Sequence, residues 1–263
     1  MLTCDSAYPE QVRSTARESQ EVSLLLLSNS TMAGRKRLEH ALEAIADVLG
    51  SIRRVHFVPY ALADYDAYTD GVQAAFAPLG VTVNGIHRAS DPARAIDDAE
   101  AVFVGGGNTF RLLNGLYAHG LLEPVRRRVL EGTLRYLGAS AGSNVACPTL
   151  RTTNDMPIVQ PPSFEAFGLL PFQINPHYLD LVPGAPRAGE TRDERIQEFL
   201  QENDVPVLGL REGAWLRRRG PGLRLEGLSS GRLFRRGHAL EDVVPGTDLS
   251  WLLETRPRFD RRS

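Results

Sequence analysis

Short apolar runs separated by stretches of helical periodicity constrain this chain more than any other feature. Val22 to Leu27 is such a run, closed by Ser28, Asn29 and Ser30. Runs of this kind are the mark of strands buried on both faces. Further strands are predicted at Val55 to Val58, at Thr82 to Asn84 (a weaker one), at Ala101 to Val104 and at Thr133 to Leu137. Between them, helical spacing predicts helices over Arg35 to Leu49, Tyr68 to Leu79 (closed by Gly80), Thr109 to Tyr117 and Leu122 to Glu131. Asp91-Pro92 opens a further short helix, with Asp91 as N-cap and proline at the first helical position. The alternation implies an α/β fold: a mostly parallel central sheet with helices on both faces.

Past Gly142 the pattern loosens. Pro157 to Pro162 is a proline-rich loop, Phe172 to Ile174 a short strand, Glu190 to Leu200 a helix and Val205 to Leu210 another buried strand. The stretch through Phe234 reads as short antiparallel strands at the sheet edge. No internal repeat or linker divides the chain. Residues 1–21 are expected to be a flexible N-terminal extension, 22–240 one α/β catalytic domain and 241–263 a C-terminal extension.

Ligands of such sheets bind at the carboxyl ends of the strands, and two glycine-rich turns lie there. Gly138-Ala139-Ser140-Ala141-Gly142 is a G-x-S-x-G element between a predicted strand and a predicted helix, the context of a nucleophile elbow. It reads as a nucleophilic Ser140 with the Ala141 N–H as oxyanion donor, or as a tight βα turn that contains serine. Gly105-Gly106-Gly107-Asn108 also follows a buried strand. It is open to three readings: a phosphate cradle, a second oxyanion donor, or a turn where sheet and helix come close. The nucleotide-binding strings G-x-G-x-x-G and G-x-x-x-x-G-K-[ST] are both absent.

A catalytic serine needs a base. Of the six histidines, His40 falls in a predicted helix and His56 in a predicted strand, which suits structural roles. His177 leaves a strand through Asn175-Pro176, at a strand's carboxyl end. Two acids could orient it. Glu212 follows the run Val205 to Leu210, and Asp155 lies on the loop Thr152 to Pro157. Rigid support favours Glu212, with Asp155 as rival or substrate-site residue. Cys147, about two helical turns beyond the elbow, reads as a buried structural thiol. Scattered histidines and the absence of H-E-x-x-H or paired C-x-x-C spacing argue against a metal.

Composition narrows the remaining classes. A net charge of -2 disfavours a broad nucleic-acid surface. Two cysteines cannot build a disulfide framework and fit a reducing compartment. No stretch of about 18 apolar residues could span a membrane, and the polar, acidic start is unlike a signal peptide. A cytoplasmic location is expected.

The strings LLLLSNST (24–31), VGGGNTF (104–110), SAGSN (140–144), CPTLRTTNDMPIV (147–159), QINPH (173–177), GETR (189–192) and GLREGAW (209–215) closely resemble the peptidase E family. The resemblance covers roughly residues 22 to 216. It implies a fold related to class I glutamine amidotransferases, with serine in place of cysteine, and cofactor-free hydrolysis of dipeptides that begin with aspartate. It also implies Ser140 as nucleophile, His177 as base, Glu212 as acid and the N–H groups of Gly107 and Ala141 as oxyanion donors. Arg192 matches the arginine that pairs with the substrate's aspartyl carboxylate, and Asn108 and Asp155 join it as substrate-site candidates. On spacing alone Arg192 is a helix-surface arginine. Arg211 stands where the family has proline. A small peptide is thus the expected partner, with a homodimer left open. The rival activities are a cyanophycinase-like hydrolase acting on β-aspartyl units and a non-catalytic α/β anion-binding module.

Overall fold

Alternate residues of the apolar runs at Val22 to Leu27 and Ala101 to Val104 are buried on opposite faces, which is why these runs form interior strands. The structure is a computed structural model that describes residues 21–180 and 189–260. Most of the expected N-terminal extension therefore lies outside the described residues. In β1 (Ser23–Leu27), Leu24 and Leu26 enter one buried cluster, and Leu25 and Leu27 another. The same division recurs along β2 (Arg54–Val58). The edge strand β3 (Thr82–Gly85) gives only Val83 to the second cluster and exposes Thr82 and Asn84. The division returns along β4 (Ala101–Val104) and β5 (Arg135–Ala139). Val102 and Val104 join the first cluster, and Ala101 and Phe103 the second. Helices α1 (Leu42–Leu49) and α2 (Tyr65–Phe76) cover the second face through Ile45, Val48, Val72 and Phe76. The first face is covered by α3 (Pro92–Asp97), α4 (Thr109–Ala118) and α5 (Leu122–Leu130) through Ile96, Leu112, Leu116, Val125 and Val129.

The expected mostly parallel sheet is present, in the strand order β3-β2-β4-β5-β1-β8-β9. Pairs among β1 to β5 are parallel. The edge strands β8 (Ala214–Arg219) and β9 (Gly222–Gly227) are antiparallel, as expected. A short helix α6 (Ala141–Asn144) follows β5. The chain does not carry all its later strands on this sheet. β6 (Gln173–Asn175) and β7 (Val207–Leu210) pair in parallel. They extend through β10 (Gly231–Phe234) and β11 (Glu241–Val243) into a second, four-stranded sheet. Helix α7 (Arg192–Glu202) packs Ile196 and Leu200 against Tyr178, Val207 and Phe234 of that unit.

Two boundaries differ from the sequence reading for physical reasons. The helix expected from Arg35 begins only at Leu42, after a single 3₁₀ turn at Glu39–Ala41. Leu38 adopts a left-handed φ of 61° and buries its side chain in the core, which breaks helical continuity upstream. The segment expected as a C-terminal extension is bound into the fold through residue 260. β11 completes the second sheet, Leu249 and Leu252 enter the main core, and Asp260 accepts both forks of Arg151 at 2.6 and 2.9 Å. Asp91 caps α3 as predicted, accepting from Arg94 N at 3.0 Å, and Gly80 takes the left-handed φ of 64° at its turn.

Candidate active site

Three strand ends meet at the site. β4 and β5 are hydrogen-bonded neighbours, with Val104 opposite Gly138, so both glycine turns emerge side by side. β1 flanks β5 on its other side, with Leu27 opposite Ala139. Ser140 therefore leaves the sheet between the triple-glycine turn and the Ser28-Asn29 corner.

Ser140 is held at φ 53° and ψ −112°, a conformation sparsely populated by non-glycine residues. The flanking glycines make it possible. A Cβ on Gly138 would lie 2.6 Å from Gly142 O, and one on Gly142 would lie 2.0 Å from Val104 O. The turn is thus folded more tightly than any side chain allows. Gly142→Ala is expected to destabilise the protein by about 3 kcal/mol or more, because the carbonyl it meets belongs to a central strand. Urea unfolding of the variant checks this; a loss under about 1 kcal/mol would mean the elbow can relax. α6 is only one turn long. Pro148 follows closely, and the residues before a proline avoid the helical region.

His177 Nε2 lies 2.9 Å from Ser140 Oγ, and His177 Nδ1 lies 2.8 Å from Glu212 Oε1. With the ring proton on Nδ1, the serine hydroxyl donates to the ring and the ring donates to the carboxylate. Both partners are accessible, with side-chain exposures of 39% for His177 and 49% for Glu212. Asp155, the rival acid, is placed elsewhere. Its Oδ2 accepts from Thr109 N at 2.7 Å and Thr109 Oγ1 at 2.6 Å, at the start of α4.

His177 has a φ of 52°, and its backbone is pinned by a residue the sequence reading passed over. Buried Ser28 accepts from His177 N at 3.0 Å and donates to Leu210 O at 2.8 Å, tying β1, β6 and β7 together. Asn29, also buried, accepts from Gly213 N at 2.8 Å, beside Glu212. The only sequence signal for either was its position at the end of β1, where both read as strand terminators.

Gly107 sits at φ 130°, where a Cβ would lie 2.7 Å from Ala61 O. The hydroxyl of Tyr68 donates to Gly106 O at 3.0 Å. The carbonyl of residue 106 and the N–H of residue 107 share one peptide plane and point oppositely, so this bond leaves the Gly107 N–H on the far side from Tyr68. Among the described residues, neither that N–H nor the one of Ala141 donates to a backbone carbonyl. The Asn108 amide caps α4 by accepting from Arg111 N at 3.0 Å, and it donates to Met156 O at 2.9 Å. It thereby ties the 152–158 loop to the glycine turn.

Arg192 opens α7, after an N-cap at Thr191 and a capping box with Glu194. Among the described residues its guanidinium makes no hydrogen bond or ion pair. Burial pulls its pKa below the ordinary arginine range, nearby Arg195 adds to this, and the charge of Asp155 opposes both. A half-buried cation of this kind gains from an anionic ligand. Cys147 is fully buried and accepts from Ile174 N at 3.1 Å, and burial raises its thiol pKa to about 12. Such a thiol is inert as a nucleophile at neutral pH. Among the described residues no cluster of three or more His, Cys, Asp or Glu could hold a metal ion, and no helix is long and apolar enough to cross a membrane.

The family model described as Peptidase family S51 matches residues 24–226. The chain belongs to peptidase family S51. Among S51-type relatives, the chain is 59% identical over 239 residues to Peptidase E of Streptomyces coelicolor, covering 91% of this chain and 98% of that one. It is 49% identical over 234 residues to the Drosophila melanogaster protein named "Probable alpha-aspartyl dipeptidase", covering 88% and 98%. Peptidase E of Salmonella typhimurium is 52% identical over 198 residues, covering 74% of this chain and 86% of that one. The fold is also that of a peptidase from an acI-B1 Actinobacterium, with a TM-score of 0.64 at 16% identity over 88% of this chain and 98% of the other.

Proposed function

We propose that this S51 peptidase is a serine dipeptidase that removes an N-terminal aspartate from Asp–X dipeptides through an ester on Ser140. The observation that carries the reading is the continuous chain from Ser140 Oγ through His177 to Glu212, with spacings of 2.9 and 2.8 Å. The names of its relatives supply the substrate class.

In this mechanism His177 Nε2 takes the hydroxyl proton as Ser140 Oγ attacks the aspartyl carbonyl carbon. Glu212 stabilises the resulting imidazolium through Nδ1–H. The oxyanion is held by the N–H groups of Gly107 and Ala141. His177 then protonates the departing amine, the C–N bond breaks, and X leaves as a free amino acid. Water, deprotonated by His177, attacks the ester, and aspartate departs as Ser140 regains its proton. Arg192 holds the side-chain carboxylate of the substrate. Asn108 and Asp155 form the edge of the same site, the first by fixing the loop at Met156, the second by its electrostatic reach to Arg192. The cytoplasm is the proposed compartment, which suits the unpaired thiol of Cys147.

The test is hydrolysis of Asp–Leu beside Glu–Leu, Asn–Leu and Ala–Leu by wild type and Arg192→Ala. Wild type should be selective for Asp–Leu. The variant should lose about two orders of magnitude in kcat/KM on that substrate alone, the effect of stripping the partner from a desolvated carboxylate. Equal turnover of Asn–Leu and Asp–Leu by wild type would remove the carboxylate from the recognition scheme. Preference for β-Asp–Arg over Asp–Leu would shift the reading to β-aspartyl substrates.

A further inference from the structure

Arg192 has no partner of its own among the described residues, so its placement depends on the backbone that carries it. That backbone is held by its neighbour. Asp193 faces the second sheet, where the hydroxyl of Tyr178 donates a short hydrogen bond to its Oδ1 and Arg232 Nη1 lies 3.5 Å from its Oδ2. Arg232 Nη1 also donates to the Tyr178 hydroxyl at 3.1 Å. Asp242 grips Arg232 in a two-pronged contact of 2.9 and 3.1 Å, which fixes the guanidinium plane. Tyr178 is in turn fully buried, with its N–H on Leu210 O at 2.9 Å and its ring against Gly209, where a Cβ would lie 2.7 Å away.

Successive residues of a helix are turned by about 100° around its axis. When Asp193 is drawn to the sheet, Arg192 is thereby swung off to the side, within electrostatic reach of Asp155. We infer that Tyr178, Asp193 and Arg232 form a latch that positions Arg192, and so sets the affinity of the site for the carboxylate of the substrate. The inference rests on the proposed role of Arg192. These three are positioning residues: none of them touches the reacting atoms.

The latch is not needed to make the helix. Thr191 and Glu194 already satisfy its first turn, and Ile196 and Leu200 anchor its body. Its removal should therefore move the first turn and leave the rest in place. Tyr178 also follows His177 directly, so the latch joins the base and the carboxylate-binding arginine through one side chain.

Tyr178→Phe keeps the buried ring and removes only the hydroxyl; Asp193→Asn keeps the size and removes the charge. Each is expected to raise KM for Asp–Leu about tenfold, the size of one lost hydrogen bond to a charged group. The value of kcat should stay within about twofold, and the rate of Ser140 labelling by a fluorophosphonate, which carries no aspartyl group, should be unchanged. In an Arg192→Ala background Tyr178→Phe should alter kcat/KM no further, since the two act as one unit. An unchanged KM in both single variants overturns the latch while leaving the role of Arg192 intact. So does a fall of kcat and labelling rate together with KM, which would place the effect of Tyr178 on His177 instead. If Arg192→Ala itself leaves Asp–Leu turnover intact, the proposed role of Arg192 fails, and the latch with it.

Discussion

Ser140→Ala is expected to lower turnover of Asp–Leu by about 10⁶ while the protein stays folded and still binds the dipeptide. Among the described residues the neighbouring nucleophiles are tied up: the Ser143 hydroxyl donates to Leu27 O at 2.7 Å, that of buried Ser28 donates to Leu210 O at 2.8 Å, and Cys147 is sealed in the core. The backbone survives the change, because the left-handed turn at residue 140 is imposed by the glycines around it and alanine has the same Cβ. The groups that bind substrate and oxyanion also remain. Residual activity should therefore sit about 10³–10⁴ above the reaction in water. Calorimetric titration with Asp–Leu should give a dissociation constant within about threefold of the wild-type value, a shift under 1 kcal/mol. A variant retaining more than about a hundredth of wild-type turnover would show that the ester on Ser140 is not the route.

Elements with strictly local causes were legible in the sequence. β4 reads as a strand because both of its faces are covered and such a strand is apolar throughout, while β5 is read from Tyr136 and Leu137 despite Arg135 at its start. Asp91-Pro92 and Gly80 announced a helix start and a turn through their own backbone chemistry. The start of α1 was not legible, since it depends on where Leu38 finds the core. Nor was the second sheet. β6 and β7 could be seen as runs, but nothing local separates a strand that joins the main sheet from one that pairs with β10 and β11.

The site divides the same way. Ser140, His177 and Glu212 all stand at strand ends, a position that can be read from the residues before them. The same rule favours Glu212 over Asp155, which lies on a loop, and the contacts of Asp155 with Thr109 set it apart from the His177 ring. Arg192 was visible only through family resemblance, because helical spacing makes it one more surface arginine. Ser28 and Asn29 were missed because their roles are contacts made 182 and 184 residues away in sequence. The Tyr178–Asp193–Arg232 contacts share that obscurity. Their meaning arises only when α7 is laid against the second sheet.

Glu212→Gln should lower kcat on Asp–Leu by about 10³, less than the roughly 10⁴ seen when a buried triad acid becomes an amide. Glutamine keeps the length of the side chain but removes the charge, and its amide can offer Nδ1 either an oxygen or an N–H. The first still accepts from the ring; the second favours the tautomer with its proton on Nε2, which cannot take the proton from Ser140. The missing charge also raises the energy of the imidazolium formed in the transition state. Its loss is cushioned because Glu212 and His177 are both partly open to solvent, so water solvates the charge that the carboxylate would have met. Fluorophosphonate labelling of Ser140 should slow by a similar factor, since it draws on the same activated hydroxyl. Arg192→Ala, in contrast, should spare labelling and impair only aspartyl substrates. A Glu212→Gln enzyme within about tenfold of wild type in both assays would reduce Glu212 to a ring-orienting contact. The catalytic strength would then lie in the pair Ser140–His177 and the oxyanion donors.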